Sequence, residues 1–392
     1  MLACRATHSP HFAFWIESSP MSIFLPHPQP PTVPLVKVAM PPPERLMPAL
    51  ERVLYSGFLA EGSEVYEFER MFATHFDLPI ALGMSSGTAA LHVALLMSGV
   101  QPGDEVITTS MTAEPTNIVI LQCGSRPVFA DVEADSGNLD PESVRGLVTS
   151  RTKAILVVHY AGFPARLKDL RAIADEHGIA LIEDAAHALG SRYGDAAIGT
   201  VGDFGIFSLQ AIKHMTTVDG GVLTLRDTSR ADEARRLRWF GLSKGVPRTE
   251  VDITVPGYKY NMHNVAAVIG LAQLEQIGGL IQRHIDNGRF FDEHLARIPG
   301  LAVTRLEPAA EPSYWLYTVL SDDSDAVEAR LHSIGVAASK LHRPNHLHSV
   351  FASMRRPLPG LDAYYRRLTH LPCGWWVSDV DRDRIVDALS RG

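Results

Sequence analysis

The chain has 392 residues, of which 46% are hydrophobic and 20% charged, a composition typical of globular proteins that bury a large core. Its 36 basic and 44 acidic residues give a net charge of −8, which argues against a nucleic-acid partner, because binding a phosphate backbone usually requires a basic excess. No run of about 18 apolar residues occurs, so we expect no membrane partner. The three cysteines are far apart in sequence, which indicates neither a disulfide framework nor a metal site and fits the reducing cytoplasm.

The first segment, residues 1–44, is rich in proline. It lacks the long apolar middle of a secretion signal, and the stretch from Pro26 to Pro34 cannot be helical, because proline has no backbone N–H. We interpret residues 1–44 as an N-terminal extension. Within it, residues 1–20 are expected to be poorly ordered and to precede an alternative start at Met21, which intact-mass analysis of the native protein tests.

Strand-like and helix-like segments alternate from about residue 45. The short apolar runs IALGMSS, DEVITTS, RPVFADV, KAILVVHY and IALIEDA are typical of strands, and GTAALHVALLMSG and ARLKDLRAIADEHG are typical of helices. Helix-end signals agree, since Asp140 is a good N-cap before Pro141 and Gly178 is a good C-terminal stop. Nearly continuous apolar strands favour a mostly parallel sheet covered on both faces. We predict an α/β fold whose large domain spans residues 45–285.

The pattern changes in the last third of the chain. A long helical run over about 262–297, bent near Gly278–Gly279, precedes the strand-like segments LAVTRL and YWLYTVL, the helix-like SDAVEARLHSIG and a last helix near 379–390. These elements predict a smaller α+β domain over residues 286–392.

Three motifs contain side chains that suit one kind of ligand. In SSGTAALHVAL, residues 85–95, Gly87 and Thr88 open a helix after a strand, so the free N–H groups of its first turn form an anion site. In LIEDAAHALG, residues 181–190, Asp184 ends a buried strand, where ligands of α/β sheets bind. In FSLQAIKH, residues 207–214, Ser208 precedes Lys213, whose apolar loop disfavours the charged amine.

Each motif also has an ordinary explanation when it is taken alone. Short Ser-Gly-Thr turns are common, aspartate is a good helix N-cap, and most loop lysines face solvent. Together, however, the three motifs match the needs of pyridoxal phosphate, whose phosphate requires N–H donors, whose protonated pyridine requires an anion and whose aldehyde requires an amine. The sequence therefore predicts pyridoxal phosphate as the cofactor.

From about residue 45 to 390 the sequence resembles the DegT/DnrJ-type sugar aminotransferases. The motifs that carry this resemblance are YSGFLAEGSEVYEFERMFATHF, SSGTAALHVAL, PGDEVITTSMT, RPVFADVEADSGNLD, AILVVHYAGFPA, IEDAAHALGS, GDFGIFSLQAIKHMTTVDGGVL and GYKYNMHNVAAVIGLAQL. The resemblance implies the fold type I architecture of pyridoxal phosphate enzymes, with a large domain built on a mostly parallel, seven-stranded sheet. It also implies that Lys213 forms the internal aldimine and that Asp184 pairs with the pyridine nitrogen, which makes both catalytic.

The same resemblance implies further contacts with the cofactor. His187 stands where a Gln or His approaches the ring hydroxyl, and Gly87, Thr88 and Ser208 match phosphate contacts. Asn261, in YKYNM, matches a position that reaches the phosphate of the neighbouring subunit, so a homodimer with its active site at the interface is implied.

Three features depart from the family pattern or lack an assigned role. Many members have an aromatic residue that stacks on the ring where this chain has Ala113, so the stacking partner is expected from elsewhere. His342, His346 and His348 more often line a polar pocket than bind a metal, because the ligand number is wrong for a metal site. Trp375-Trp376 could contact a nucleotide base, but packing is the better interpretation, since large aromatics usually bury area.

The reaction implied is transamination with ping-pong kinetics, in which L-glutamate donates an amino group to a nucleotide-linked ketosugar to give an aminosugar. Relatives that catalyse 3-dehydration replace the lysine by His, whereas here Lys213 is present and no cluster-binding set of cysteines exists. The alternatives are such a dehydratase or a non-catalytic regulatory protein that binds pyridoxal phosphate. A nicotinamide-dependent enzyme is disfavoured, because no G-x-G-x-x-G opens the first strand–helix unit.

Overall fold

The computed structural model describes residues 32–391, so the expectations for residues 1–20 and Met21 lie outside the described residues. The helices of the described part are α1 (Pro43–Leu54), α2 (Ser63–His75), α3 (Gly87–Met97), α4 (Glu114–Gln122), α5 (Pro141–Arg145), α6 (Leu167–His177), α7 (Ala231–Leu237), α8 (Asn264–Leu274), α9 (Ile277–Leu295), α10 (Ser324–Ser333), α11 (Pro359–Arg367) and α12 (Asp379–Ser390). The strands are β1 (Leu82–Met84), β2 (Glu105–Thr109), β3 (Arg126–Ala130), β4 (Thr152–Val158), β5 (Ala180–Asp184), β6 (Arg192–Tyr193), β7 (Ala196–Ala197), β8 (Phe204–Ser208), β9 (Gly221–Leu225), β10 (Leu301–Val303), β11 (Ala310–Glu311), β12 (Tyr317–Ser321) and β13 (Leu368–Leu371).

A seven-stranded sheet in the order β1-β9-β8-β5-β4-β2-β3 forms the centre of the fold. All neighbours pair in parallel except β9, which runs antiparallel to both β1 and β8. The predicted mixed α/β architecture with a mostly parallel sheet is therefore confirmed.

The strands are apolar on both faces because each face packs on its own hydrophobic core. In β4, Ile155 and Val157 join one core cluster, whereas Leu156 and Val158 join another on the opposite face. Side chains of a strand alternate between faces, so an uninterrupted apolar run is what a doubly covered strand requires. Burying each of these side chains contributes about 1.5–3 kcal/mol, which fixes the strand in its register.

The helix-end signals read from the sequence are present. The Asp140 side chain accepts a hydrogen bond from the Glu142 backbone N–H and so caps α5. Gly178 ends α6 with a φ of 63°, a conformation that glycine adopts without steric cost. The last helix, α12, spans the residues predicted for it.

The bend predicted at Gly278–Gly279 is wrong in position. The helix breaks between α8 and α9, at residues 275–276, with a bend of 59°. The break lies where the packing partners change, since α8 packs on α1 and α2 whereas α9 packs on α12, β10 and β12. Both glycines lie in the first turn of α9, where backbone N–H groups lack helical partners in any case.

The C-terminal part contains an antiparallel sheet in the order β10-β12-β13, which packs with α9, α10 and α11, while α12 packs on α9 and α10. The strand predicted from residue 314 begins at Tyr317, because Tyr314 has a φ of 48°, which is incompatible with a strand. The boundary predicted between residues 285 and 286 falls within α9, and the boundary at residue 44 falls within α1, so both domain limits stay predictions.

Membrane-spanning potential is confined to one helix pair in residues 32–391. Taken singly, every described helix is too short or too polar to cross a bilayer, and α8 with α9 reaches the required length and apolarity only jointly, across their bend.

Candidate active site

One cavity lies at the edge of the central sheet where β4, β5 and β8 end. Carboxyl ends of parallel strands meet at one edge, and ligands of α/β proteins bind there. The cavity has a volume of about 390 Å³. Its lining includes six of the seven residues predicted for the site, namely Gly87, Thr88, Asp184, His187, Ser208 and Lys213.

Lys213 lies in the loop that connects β8 to β9. Its Nζ is 4.1 Å from the centroid of the Trp315 ring, a cation–π arrangement. Burial lowers the pKa of Lys213 to about 7, although the negative charge of Asp184 opposes this shift. At neutral pH a large fraction of the amine is therefore uncharged, which is the form that attacks an aldehyde.

Asp184 is the last residue of β5 and is buried. Its Oδ1 accepts a hydrogen bond of 3.1 Å from the Ala186 backbone N–H, and its Oδ2 accepts one of 2.9 Å from the Thr116 hydroxyl. Burial raises the pKa of Asp184, while these two donors and the charges of Lys213 and His159 act in the opposite direction. The carboxylate thus faces the cavity with donors on both oxygens.

The N-terminus of α3 closes another side of the cavity. Ser86 is the N-cap, and its hydroxyl accepts a hydrogen bond of 3.0 Å from the Ala89 backbone N–H. A Cβ on Gly87 would lie 3.1 Å from the Ser208 Cβ, so glycine permits the close approach of α3 to the end of β8. This juxtaposition leaves the positive end of the helix dipole beside two hydroxyl groups, those of Thr88 and Ser208.

Aromatic rings form a stack beside the cavity. The His187 ring lies 4.0 Å from the Trp315 ring at an interplanar angle of 20°, and 5.8 Å from the parallel ring of His342. Among the described residues, His187 Nδ1 is buried without a hydrogen-bond partner. Burial, with the nearby charge of Lys213, holds the pKa of His187 well below its ordinary value, so the ring is neutral.

Gly162 allows residues 313–315 to reach this stack. It has a φ of 97°, and a Cβ there would lie 2.6 Å from the Trp315 backbone nitrogen and 3.0 Å from the His187 carbonyl oxygen. We expect Gly162→Ala to lower the free energy of unfolding by about 2–3 kcal/mol, because it adds both backbone strain and a collision with backbone atoms. Urea unfolding measures this loss.

Gly178→Ala is the matched control for that substitution. Gly178 also has a positive φ, of 63°, but no described atom lies within 4 Å of a Cβ built on it, so its replacement costs only about 1 kcal/mol. Equal losses for the two variants would contradict the importance of the close approach at Gly162.

Asn261, the seventh predicted residue, lies outside the lining of this cavity. It pairs with Met84 of β1 through a backbone bridge, and its side chain accepts a hydrogen bond of 3.3 Å from Lys259 Nζ. Its contact with the phosphate of the neighbouring subunit stays a prediction.

Two residues at this site were not predicted from the sequence: Thr116 lines the cavity, and Trp315 stacks on the lining residue His187. His342 lines the cavity, as the polar-pocket interpretation expects, and Ala113 leaves the wall beside α4 without an aromatic ring. The strand-like segment YWLYTVL contained the only sequence signal for Trp315.

The other two histidines of the segment that contains His342 have partners of their own. His346 Nδ1 is bound to the Ser110 hydroxyl at 2.7 Å, and His348 Nε2 lies 3.7 Å from Glu114. Trp376 donates to the Pro34 carbonyl oxygen at 2.8 Å, as expected for packing.

Residues 43–390 match the DegT/DnrJ/EryC1/StrS aminotransferase family. The chain belongs to this family. The aminotransferase is 33% identical over 375 residues to the UDP-4-amino-4-deoxy-L-arabinose–oxoglutarate aminotransferase of Shewanella sediminis (strain HAW-EB3), a match that covers 88% of this chain and 95% of the relative. It is also similar to the sugar aminotransferase CalS13 from Micromonospora echinospora, with 36% identity and a TM-score of 0.88 over 92% of this chain and all of that one.

This aminotransferase is an enzyme that depends on pyridoxal phosphate, as its family does. Spr1654 of Streptococcus pneumoniae has been solved in a PLP form, and it matches 91% of this chain and 98% of its own with 26% identity and a TM-score of 0.82. The residues present fit that cofactor, since the cavity offers an amine of low pKa, a buried carboxylate, a helix N-terminus made accessible by Gly87 and the unpaired His187 Nδ1.

Proposed function

We propose that this aminotransferase transfers the amino group of L-glutamate to a nucleotide-linked ketosugar and so forms an aminosugar, with ping-pong kinetics. The observation that carries this proposal is the meeting of Lys213 and Asp184 in one cavity beside the N-terminus of α3. The names of the relatives support the substrate classes, because one relative is a sugar aminotransferase and another is described as acting with oxoglutarate. A nucleotide-linked substrate favours a cytoplasmic enzyme.

Six of the residues that line the cavity have proposed tasks toward the cofactor. Bound there, pyridoxal phosphate supplies an aldehyde that condenses with amines and a ring that stores an electron pair. Gly87, Thr88 and Ser208 hold the phosphate with N–H and O–H donors, and His187 orients the ring through its hydroxyl. Lys213 holds the cofactor covalently between turnovers. The donors and acceptors that line the cavity support these roles.

Proton movement in the reaction is assigned to Lys213. Once its amine is free, Nζ would take a proton from the α-carbon of the donor and would carry it to the cofactor. General acid–base catalysis favours a group whose pKa lies near the working pH. Burial gives Lys213 such a pKa, of about 7. Asp184, as an anion, keeps the pyridine nitrogen protonated, so that the ring accepts the electron pair.

The complete site is proposed to form in a homodimer. Lys213 is the only lysine or arginine among the described lining residues, whereas L-glutamate brings two carboxylates that require cations. Large apolar side chains are exposed near α1 and α2, with Tyr55 85% and Phe58 77% accessible. A second copy would cover such a surface and would place Asn261 near the phosphate. A sedimentation mass equal to that of one chain would contradict the dimer.

A panel of nucleotide-linked 3- and 4-ketosugars tests the proposed reaction. We expect at least one of them to accept nitrogen from ¹⁵N-labelled L-glutamate, with one oxoglutarate released for each aminosugar formed, since transamination conserves the amino group. Mass spectrometry of the sugar product measures the transfer. Matched alcohols in place of the ketones are the control, because they cannot condense with an amine.

Two results of this panel would contradict the proposal. Conversion of L-glutamate to oxoglutarate without uptake of nitrogen by any ketosugar would show that the acceptor class is wrong. Loss of a sugar oxygen without net transfer of nitrogen would indicate dehydration instead of transamination.

A further inference from the structure

Two threonine hydroxyl groups form a hydrogen-bonded chain that ends on Asp184. The Thr116 hydroxyl donates to Asp184 Oδ2 at 2.9 Å, and the Thr112 hydroxyl oxygen lies 3.0 Å from that of Thr116. Thr116 is 3% exposed and Thr112 is 1% exposed, so both residues are buried, although both contribute to the lining of the cavity. A buried chain of this kind is strong because each bond polarises the next.

The direction of the chain follows from the chemistry of its members. An ionised carboxylate only accepts hydrogen bonds, and a hydroxyl group has a single proton to donate. Thr116 therefore gives its proton to Asp184, and Thr112 must donate to Thr116. The two hydroxyl dipoles point the same way, with their positive ends toward the carboxylate.

The helix itself does not require the Thr116 hydroxyl. Threonine inside a helix commonly donates to the carbonyl oxygen four residues earlier, which here is that of Thr112. That carbonyl instead accepts from Asn345 Nδ2 at 2.7 Å. The N-cap of α4 is Ala113, which offers no side-chain cap, and the Thr116 backbone N–H is satisfied by the Ala113 carbonyl oxygen. The hydroxyl is therefore available for Asp184.

Asp184 needs neutral hydrogen-bond donors, because the titratable groups around it either pair with other residues or do not keep a constant charge. His159, at the end of β4, faces it but pairs through Nε2 with Glu183 at 3.0 Å. His187, on the loop that follows β5, is neutral. Lys213 faces it from the loop after β8, and its amine changes charge and position when it binds and releases the cofactor. The Ala186 N–H and the Thr116 hydroxyl are thus the constant partners of the carboxylate.

We propose that Thr116, supported by Thr112, is a positioning residue that keeps Asp184 ionised and aimed at the pyridine nitrogen throughout the catalytic cycle. This inference rests on the proposed role of Asp184 toward the cofactor. Without the Thr116 donor, the proton shared between the carboxylate and the ring nitrogen moves toward the carboxylate, because a hydrogen bond to an anion stabilises the anion. The ring then accepts electrons less well.

The test uses holoenzyme reconstituted with pyridoxal phosphate labelled with ¹⁵N at the ring nitrogen. We expect the ¹⁵N chemical shift of wild-type enzyme to be that of a protonated pyridine, and that of Thr116→Val to move toward the neutral value. Losing a hydrogen bond to a charged acceptor should lower kcat about tenfold in both half-reactions. Thr112→Val should act in the same direction by about threefold, since it touches Asp184 only through Thr116.

Two further variants separate positioning from packing. Thr116→Ser retains the hydroxyl and should restore both the ¹⁵N shift and kcat, although it leaves a small cavity. Thr108→Val is the matched control, because Thr108 is a fully buried β2 residue whose hydroxyl has no partner among the described residues. Its ¹⁵N shift should equal that of wild type. Thermal unfolding of each holoenzyme reports any loss of folding.

Asp184→Asn distinguishes failure of this inference from failure of the proposed role of Asp184. If Asp184→Asn shifts the ¹⁵N signal but Thr116→Val leaves it at the wild-type value, Thr116 is not a positioning residue. If Asp184→Asn also leaves the signal unchanged, the carboxylate does not act on the ring nitrogen and the proposed role itself is wrong. A Thr116→Ser variant as impaired as Thr116→Val would likewise overturn the inference.

Discussion

Replacing Lys213 with alanine is expected to abolish turnover, by at least about 10³-fold, because the variant lacks the amine proposed both to hold the cofactor and to move the proton. Wild-type enzyme should absorb in the visible range and lose this band on treatment with borohydride. The reduction should link the cofactor stably to the Lys213 amine and so add its mass to that residue. The variant should gain no such mass. Peptide mass spectrometry after reduction measures both results.

The pH dependence of cofactor capture makes this prediction sharper. Burial lowers the pKa of Lys213 to about 7, and only the neutral amine attacks the aldehyde. The rate at which wild-type apoenzyme captures pyridoxal phosphate should therefore rise as pH passes upward through about 7 and level off above it. An ordinary lysine, with a pKa of about 10.4, would show a rise that continues to about pH 10.

Lys153→Ala provides the control, since Lys153 is an exposed lysine on β4. It should leave capture and its pH profile unchanged. Borohydride-fixed mass on a lysine other than 213, or a capture rate that still climbs at pH 9, would contradict the assignment.

Replacing Asp184 with alanine is expected to lower kcat by at least about 10²-fold while much of the cofactor remains bound. The loss follows because the buried carboxylate is the anion proposed to keep the pyridine nitrogen protonated, and removing an electrostatic partner in a dry site costs several kcal/mol of transition-state stabilisation. Cofactor should persist because the proposed covalent bond to Lys213 and the proposed phosphate donors of α3 are untouched. Single-turnover kinetics and equilibrium dialysis measure the two effects separately.

A carboxylate that precedes β8 and contacts the other end of β5 provides the control for damage to the fold. Asp203 Oδ2 accepts a hydrogen bond of 2.8 Å from the Leu181 backbone N–H, at the start of β5. Asp203→Ala should reduce stability but leave kcat within a few-fold of wild type. Full activity of Asp184→Ala, or an equal loss in Asp203→Ala, would show that Asp184 has no special role.

The sequence predicted those features that depend on local chemistry. Apolar runs such as the one around Ile155 favour strands that are buried on both faces, which is where the structure places them. Lys213 and Asp184 were identifiable because three motifs together match the needs of one cofactor, and because the surrounding motifs are specific to one family. Six of the seven predicted residues line the same cavity for this reason.

Features that depend on distant contacts could not be predicted in this way. Thr116 binds Asp184 across 68 residues of sequence, and an ordinary threonine near a helix start carries no mark of such a partner. Trp315 stacks on His187 because Gly162 admits the chain that carries it, which only the folded backbone reveals. The bend between α8 and α9 lies where the packing partners change and not at the residues of low helix propensity, Gly278 and Gly279, and only the folded chain reveals those partners.

The reversed direction of β9 has a consequence for how this site tolerates change. Because β8 ends where β9 begins, with Ser208 opposite Gly221, the segment that carries Lys213 is a hairpin whose two stems share one register. Gly221 also abuts the Ser86–Gly87 backbone, so the stems are anchored to the turn that opens α3. The number of residues between Ser208 and Gly221 therefore determines where the Lys213 amine lies. A single residue inserted there would displace this amine even if every side chain were kept.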